Sequence, residues 1–217
     1  MNPESFALPA VILVGLTSIA LLLLSDWRLS ILALGVQYVG VFLLVELHWP
    51  VEMAVTKLLA GWMAGAVLGM AAISLPQGRP ETEQDNPLLQ PPELAPDPED
   101  LPVQSPAVRL FRLLAAILVG LVVLSGAQEL VELVPALQIT QAVGGLILIG
   151  MGILKLGFTG QPLHTILGLL MALSGFEVLY AGVESSTLVA GMLAAVNLGL
   201  ALVGAYLLVA PHMEEFE

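Results

Sequence analysis

The chain has 217 residues, of which 58% are hydrophobic and 11% charged, with a mean hydropathy of +0.94 and a formal net charge of −12 at pH 7. A soluble core of this size would have nothing to cover it with water-compatible surface, so the composition excludes a soluble globular domain. No cysteine is present, which excludes disulfides, thiolate metal sites and Cys-ligated clusters.

The first apolar stretch, 5–24, follows a start that carries Glu4 and no Lys or Arg. It lacks the basic leader of a signal peptide and is expected to remain in the mature protein. Six further stretches follow at 29–47, 51–74, 108–126, 135–156, 163–183 and 186–210. Each approaches the roughly 20 apolar residues a helix needs to cross a hydrocarbon core. They are continuous and lack the alternation of barrel strands, so their backbone groups bond within helices. The expected fold is an all-α integral membrane protein of about seven transmembrane helices.

Between the third and fourth stretches, residues 75–107 hold nine prolines, seven acids and one basic residue, Arg79. Such a segment cannot bury a core and reads as a disordered, acidic cytoplasmic linker carrying about half of the net charge. An anionic loop does not favour nucleic acid, and the bilayer is the expected environment of the rest. The domains expected are a first three-helix unit at 1–74, the linker at 75–107, a connecting helix and outer loop at 108–134, and a second three-helix unit with an acidic tail at 135–217.

Orientation follows from the basic residues. Arg28, Arg79, Arg109, Arg112 and Lys155 fall on one side of the seven spans, whereas the other side carries acids such as Glu46, Glu52, Glu129, Glu132 and Glu184. The positive-inside rule then places the N-terminus outside and the C-terminus in the cytoplasm, in a cell inner (plasma) membrane.

The two halves also resemble each other. A shift of 135 residues aligns Gly15 with Gly150, Ile31-Leu32 with Ile166-Leu167, Leu34 with Leu169 and Gly40 with Gly175. A shift of 130 aligns Leu58, Ala60, Gly61, Ala64, Leu68, Gly69 and Ala71 with Leu188, Ala190, Gly191, Ala194, Leu198, Gly199 and Ala201. The change of shift falls in the loop around His48-Trp49-Pro50. Two parallel three-helix repeats joined by one extra helix satisfy this pattern. The last helix of each half carries small residues every fourth position, Gly61, Gly65 and Gly69 in one and Gly191, Ala195 and Gly199 in the other. Such stripes let helices approach closely, either inside this chain or against a partner subunit.

Polar groups inside the spans carry the functional signal, because a central charge costs roughly 2.5–3.5 kcal/mol on insertion scales. Lys57 lies about 9 Å into the third helix at 1.5 Å per residue, and Glu177 lies at a similar depth in the sixth. They are expected either to pair or join a proton path, or to snorkel to the interface. Gln37 and Asn197 lie nearer the midplane, where neutral amides bond across helices or hold a water chain without titrating. His48, His164 and His212 are scattered among loops and helix ends, so neither a metal nor another cofactor is expected. No His-rich, Cys-rich or Ser-His constellation points to an enzyme.

The pattern Asp26-Trp27-Arg28-Leu29-Ser30, then Gln37, then Thr56-Lys57-Leu58-Leu59 resembles the membrane component E of hydrogenase-4-type complexes. In the second half, Gly175-Phe176-Glu177 followed by Ala194-Ala195-Val196-Asn197-Leu198-Gly199-Leu200-Ala201-Leu202 is similar to the K subunit of complex I, the NADH-quinone oxidoreductase, and to the C subunit of Mrp-type antiporters. The resemblance covers most of both halves and not the linker. It implies a non-catalytic membrane subunit of a proton- or sodium-translocating complex, lying beside an antiporter-like subunit. Of the two intramembrane carboxylates of the K-type family, Glu177 matches the first. Asn197 stands where the second acid is expected, and the equivalent first-half positions are Phe42 and Val67. Lys57 is the candidate titratable group in their place, with Glu46 and Gln37 as further contributors to a polar path. The alternative is a self-contained small-solute transporter or channel, although no helix is interrupted by paired Gly and Pro near the midplane.

Overall fold

The structure, a computed structural model, describes residues 4–74 and 106–213. The acidic linker up to residue 105 and the tail from 214 lie outside the described residues, and the two linker residues Pro106 and Ala107 belong to a helix. Seven helices are described: α1 Glu4–Leu23, α2 Trp27–Val45, α3 Val51–Ser74, α4 Pro106–Leu133, α5 Ile139–Gly157, α6 Pro162–Ala181 and α7 Thr187–Met213. All seven are long and apolar enough to cross a membrane, and no strand occurs among the described residues. The chain is an all-α, multi-pass membrane protein.

Local chemistry explains where the helices begin. Asp26 caps α2 by accepting the Arg28 N–H at 2.9 Å. Prolines occupy the first position of α4 and α6, where a missing N–H costs nothing. The stretch expected to end at 126 continues to Leu133, because Ser125 and Gly126 do not interrupt the backbone ladder, and Ser125 Oγ folds back onto the Val122 carbonyl at 2.9 Å. The next helix correspondingly starts at Ile139 rather than 135. Pro135 lies in a turn closed by Leu137 N–H donating to Val134 O at 3.0 Å.

Within each half, helices neighbouring in sequence pack together: α1 on α2, α2 on α3, α5 on α6 and α6 on α7. Across the halves, α1 packs on α5, α2 on α6 and α3 on α7, while α4 lies outside against α5 and α1. The sixth helix is central, with 61% of its apolar window buried, whereas α4 and α7 bury only 11% and 17% and leave most of their surface to the surroundings.

The closest helix approach described is between α5 and α6. A Cβ on Gly152 would lie 2.7 Å from the Gly168 carbonyl oxygen, and one on Gly175 would lie 2.5 Å from that of Gly145. In a bilayer, where apolar side chains gain nothing by leaving lipid, such backbone contact supplies the packing. The α1–α2 pair has the corresponding contact, with a Cβ on Gly40 lying 3.4 Å from the Ala10 carbonyl oxygen. The pairs Ala10–Gly40 and Gly145–Gly175 are related by the same 135-residue shift that aligns the halves.

The two small-residue stripes differ in environment. In α3, Gly61 lies under the Tyr38 ring and Gly65 and Gly69 lie against Ile31 of α2. In α7 the stripe faces outward: Gly191 and Ala195 are exposed, and no atom lies within 4 Å of a Cβ built on Gly191 or Gly199. The expected packing by Gly191, Ala195 and Gly199 is therefore not made among the described residues. The inward face of α7 is a different row, Asn197, Ala201 and Gly204, with Gly204 tight against Ile166 and Leu68.

Candidate intramembrane ion-pair site

In α3 the buried row Ala54, Lys57, Gly61, Ala64, Leu68 repeats at three- and four-residue spacing, so Lys57 is carried inward with the helix's packing face. In α6 the row Leu170, Ser174, Glu177, Val178, Ala181 does the same for Glu177. The two meet as an ion pair between Lys57 Nζ and Glu177 Oε2, with side chains 4% and 1% exposed. This is the only salt bridge among the described residues. Of the two alternatives, pairing and snorkelling, the structure forms the pair, because each side chain finds its counter-charge inside the bundle.

Two more helices complete the site. Asn197 of α7 donates from Nδ2 to Glu177 Oε1 at 2.9 Å and to the Leu193 carbonyl at 3.2 Å. Its Oδ1 accepts the Tyr38 hydroxyl of α2 at 3.2 Å. The Tyr38 ring also faces the ammonium, with Lys57 Nζ 5.1 Å from its centroid, a cation–π contact in a site without water-like screening. Gly61 makes this possible, because a Cβ there would overlap the Tyr38 ring. Glu177 thus has one oxygen on an ammonium and the other on an amide, and four helices contribute one group each.

The cluster lies in the half of the bundle near the α2–α3 and α6–α7 connections. That end is closed by contacts between the halves. Trp49 Nε1 donates to the Glu184 carbonyl at 2.8 Å, His48 Nε2 lies 3.0 Å from the Ala136 carbonyl oxygen, and Gln141 Nε2 donates to the Leu44 carbonyl at 3.1 Å.

Of the sequence candidates, Lys57, Glu177 and Asn197 are brought together. Gln37 is not with them: it is buried on the α1–α2 interface and donates to Ser18 Oγ at 2.8 Å. Glu46 sits at the C-terminal end of α2, half-buried, where its backbone N–H bonds to the Phe42 carbonyl. Sequence reasoning missed Tyr38, whose signal was its place inside a span, next to Gln37 and with one polar end. Chemically, the arrangement holds a paired acid and base in a water-poor interior, suited to keeping or passing one proton. Among the described residues no cluster of three or more His, Asp or Glu side chains could hold a metal ion. Comparison with protein-family models, with curated proteins and with solved structures finds no match to this chain.

Proposed function

We propose that the protein is a non-catalytic membrane subunit of a hydrogenase-4-, complex I- or Mrp-like complex that translocates protons or sodium. The single observation that supports this most is the buried Lys57–Glu177 pair with Asn197 and Tyr38 around it. Placing two formal charges inside a membrane bundle is expensive, and such residues usually belong to ion paths. In this reading the four-residue cluster is one station of a path that continues laterally into an antiporter-like neighbour. Gln37 and Glu46 belong to its scaffold rather than to the station. The outward faces of α4 and α7 supply surface for that neighbour, and the small stripe Gly191, Ala195, Gly199 gives α7 a face that a partner helix can approach closely. The N-terminus is placed outside and the C-terminus in the cytoplasm of a cell inner membrane, following the basic residues.

The test is recovery of the tagged chain from its native membrane in mild detergent, with partners identified by mass spectrometry. Large antiporter-like subunits are expected in stoichiometric amount. A chain recovered alone, which then moves a solute in liposomes by itself, would replace this reading with that of an independent transporter.

A further inference from the structure

A second polar region occupies the opposite end of the bundle and is not used by the ion-pair site. There the C-terminal ends of α1 and α5 meet the N-terminal ends of α4 and α6 around a cavity of about 560 Å³, lined by Ser25, Arg112, Lys155, Phe158, Gly160 and His164 among others. Lys155 is 4% exposed and His164 7% exposed, so both are built into the fold rather than waving from it. Lys155 Nζ donates to the Leu21 carbonyl at 2.5 Å and lies 3.3 Å from His164 Nδ1. An ammonium only donates, so Nδ1 is the acceptor of that bond and the imidazole carries its proton on Nε2. Arg112 reaches in from α4, donating to the Leu22 carbonyl at 3.4 Å with its guanidinium 5.9 Å from the Phe158 ring centroid.

Lys155 and Arg112 partly serve as caps for the α1 carbonyls, yet they leave an excess of positive charge. Neither has a carboxylate partner among the described residues. Asp26, which follows the lining residue Ser25, caps α2 and lines the adjoining slot instead of this cavity. The N-terminus of α6 adds to the same potential. Gln161 at its cap makes no side-chain bond to the helix, and Gln161 and Pro162 both line the cavity. A helix N-terminus presents free N–H groups and the positive end of its dipole.

We propose that this cavity binds a phosphate group. Arg112 of α4, Lys155 of α5 and the N-terminal end of α6 all line the cavity, and their remaining donors suit an oxyanion with several peripheral oxygens better than a planar carboxylate with two. The group can come from the headgroup of an anionic phospholipid in the basic-residue leaflet or from soluble phosphate. The assignment does not depend on the ion-translocation reading.

The experiment uses the purified full chain. Native mass spectrometry from mixed phosphatidylglycerol and monogalactosyldiacylglycerol, a neutral lipid without phosphate, follows retained lipid, and a thermal shift with phosphate replacing chloride at constant ionic strength follows the soluble source. Retained phosphatidylglycerol should exceed the phosphate-free lipid by about tenfold if the lipid is the source, as loss of one charge-assisted contact implies. A phosphate-specific stabilisation without lipid preference would support the same site with a soluble ligand. Arg112→Gln should reduce the lipid preference about tenfold, or raise about tenfold the phosphate concentration needed for the same shift, whereas Arg28→Gln, on a residue that stacks on Trp27 outside the cavity, should do neither. Because Arg112 also contacts α1, Gly160→Glu is the second variant. It has no atom within 4 Å of the new Cβ and sets a negative charge on the cavity wall. No lipid preference and no phosphate-specific shift in the unaltered chain, or effects unchanged in both variants, would overturn the proposal.

Discussion

At the scale of single residues, the Lys57–Glu177 pair divides its surroundings into a charge partner and an amide partner, and the two can be removed separately. Lys57→Met leaves the Glu177 carboxylate buried with only Asn197, and removal of one member of a buried pair typically costs about 3–5 kcal/mol. Lys57→Met combined with Glu177→Met removes both charges and is expected to recover most of that loss, which unfolding of the purified variants in mixed micelles would measure. Independent losses that simply add would contradict the pairing. Asn197→Leu removes the donor to Glu177 and the acceptor of the Tyr38 hydroxyl, with an expected cost of about 1–2 kcal/mol in line with interhelical bonds in membranes. The occurrence of an amide where an acid was expected also has a physical sense. One ammonium balances one carboxylate here, and an ionised acid at this position would lose the donated bond and set like charges in contact, whereas the amide donates whatever the pH.

Helices are the scale at which the chain was most and least legible. Continuous apolar runs marked all seven, since backbone bonding in lipid leaves few alternatives to a helix. Their ends were less readable where Ser125-Gly126 passed without a break and where Pro135 opened a turn rather than a helix. The depth of Lys57 and Glu177 could be counted from the helix ends, which is why their meeting could be anticipated. That Gln37 turns to α1 while its neighbour Tyr38 turns to α7 could not, because adjacent residues on a helix point about 100° apart and the partner depends on which helix lies there. Lys155 and His164 flank a short connection, 158–161, and their closeness was available from that spacing. Small-residue spacing indicated close packing but not where it occurs. Accordingly Gly175→Ala, which drives a Cβ into the Gly145 carbonyl, should destabilise the chain by about 1–3 kcal/mol. Gly191→Ala should leave stability within about 0.5 kcal/mol, having open space around it. Equal melting losses for the two would show that α7 packs differently. A bulkier Gly191→Leu tests the outward face: capture of a partner subunit should fall while the isolated chain stays folded.

For the whole molecule, α1, α2 and α3 pack on α5, α6 and α7 respectively, with α4 outside against α5 and α1, an ion pair near one end and a basic cavity at the other. The absence of cysteine makes its orientation directly measurable. In intact cells, Ser185→Cys in the α6–α7 connection should react with a membrane-impermeant maleimide, and Gly160→Cys should react only after permeabilisation. The reverse pattern would invert the topology. In the proposed function, the buried acid–base pair takes part in ion movement by a larger assembly. The most direct test of that claim is ion-coupled transport by the complex recovered with this chain, comparing the unaltered protein with Lys57→Met and Glu177→Gln at equal subunit content. Glu177→Gln keeps an oxygen for Asn197 but sets an amide NH2 in place of the carboxylate oxygen at Lys57, removing the charge and the titratable oxygen together, so a loss of coupling of about tenfold or more at equal subunit content is the expected result. Full coupling in both assembled variants would contradict the claim and leave the pair as structural cement.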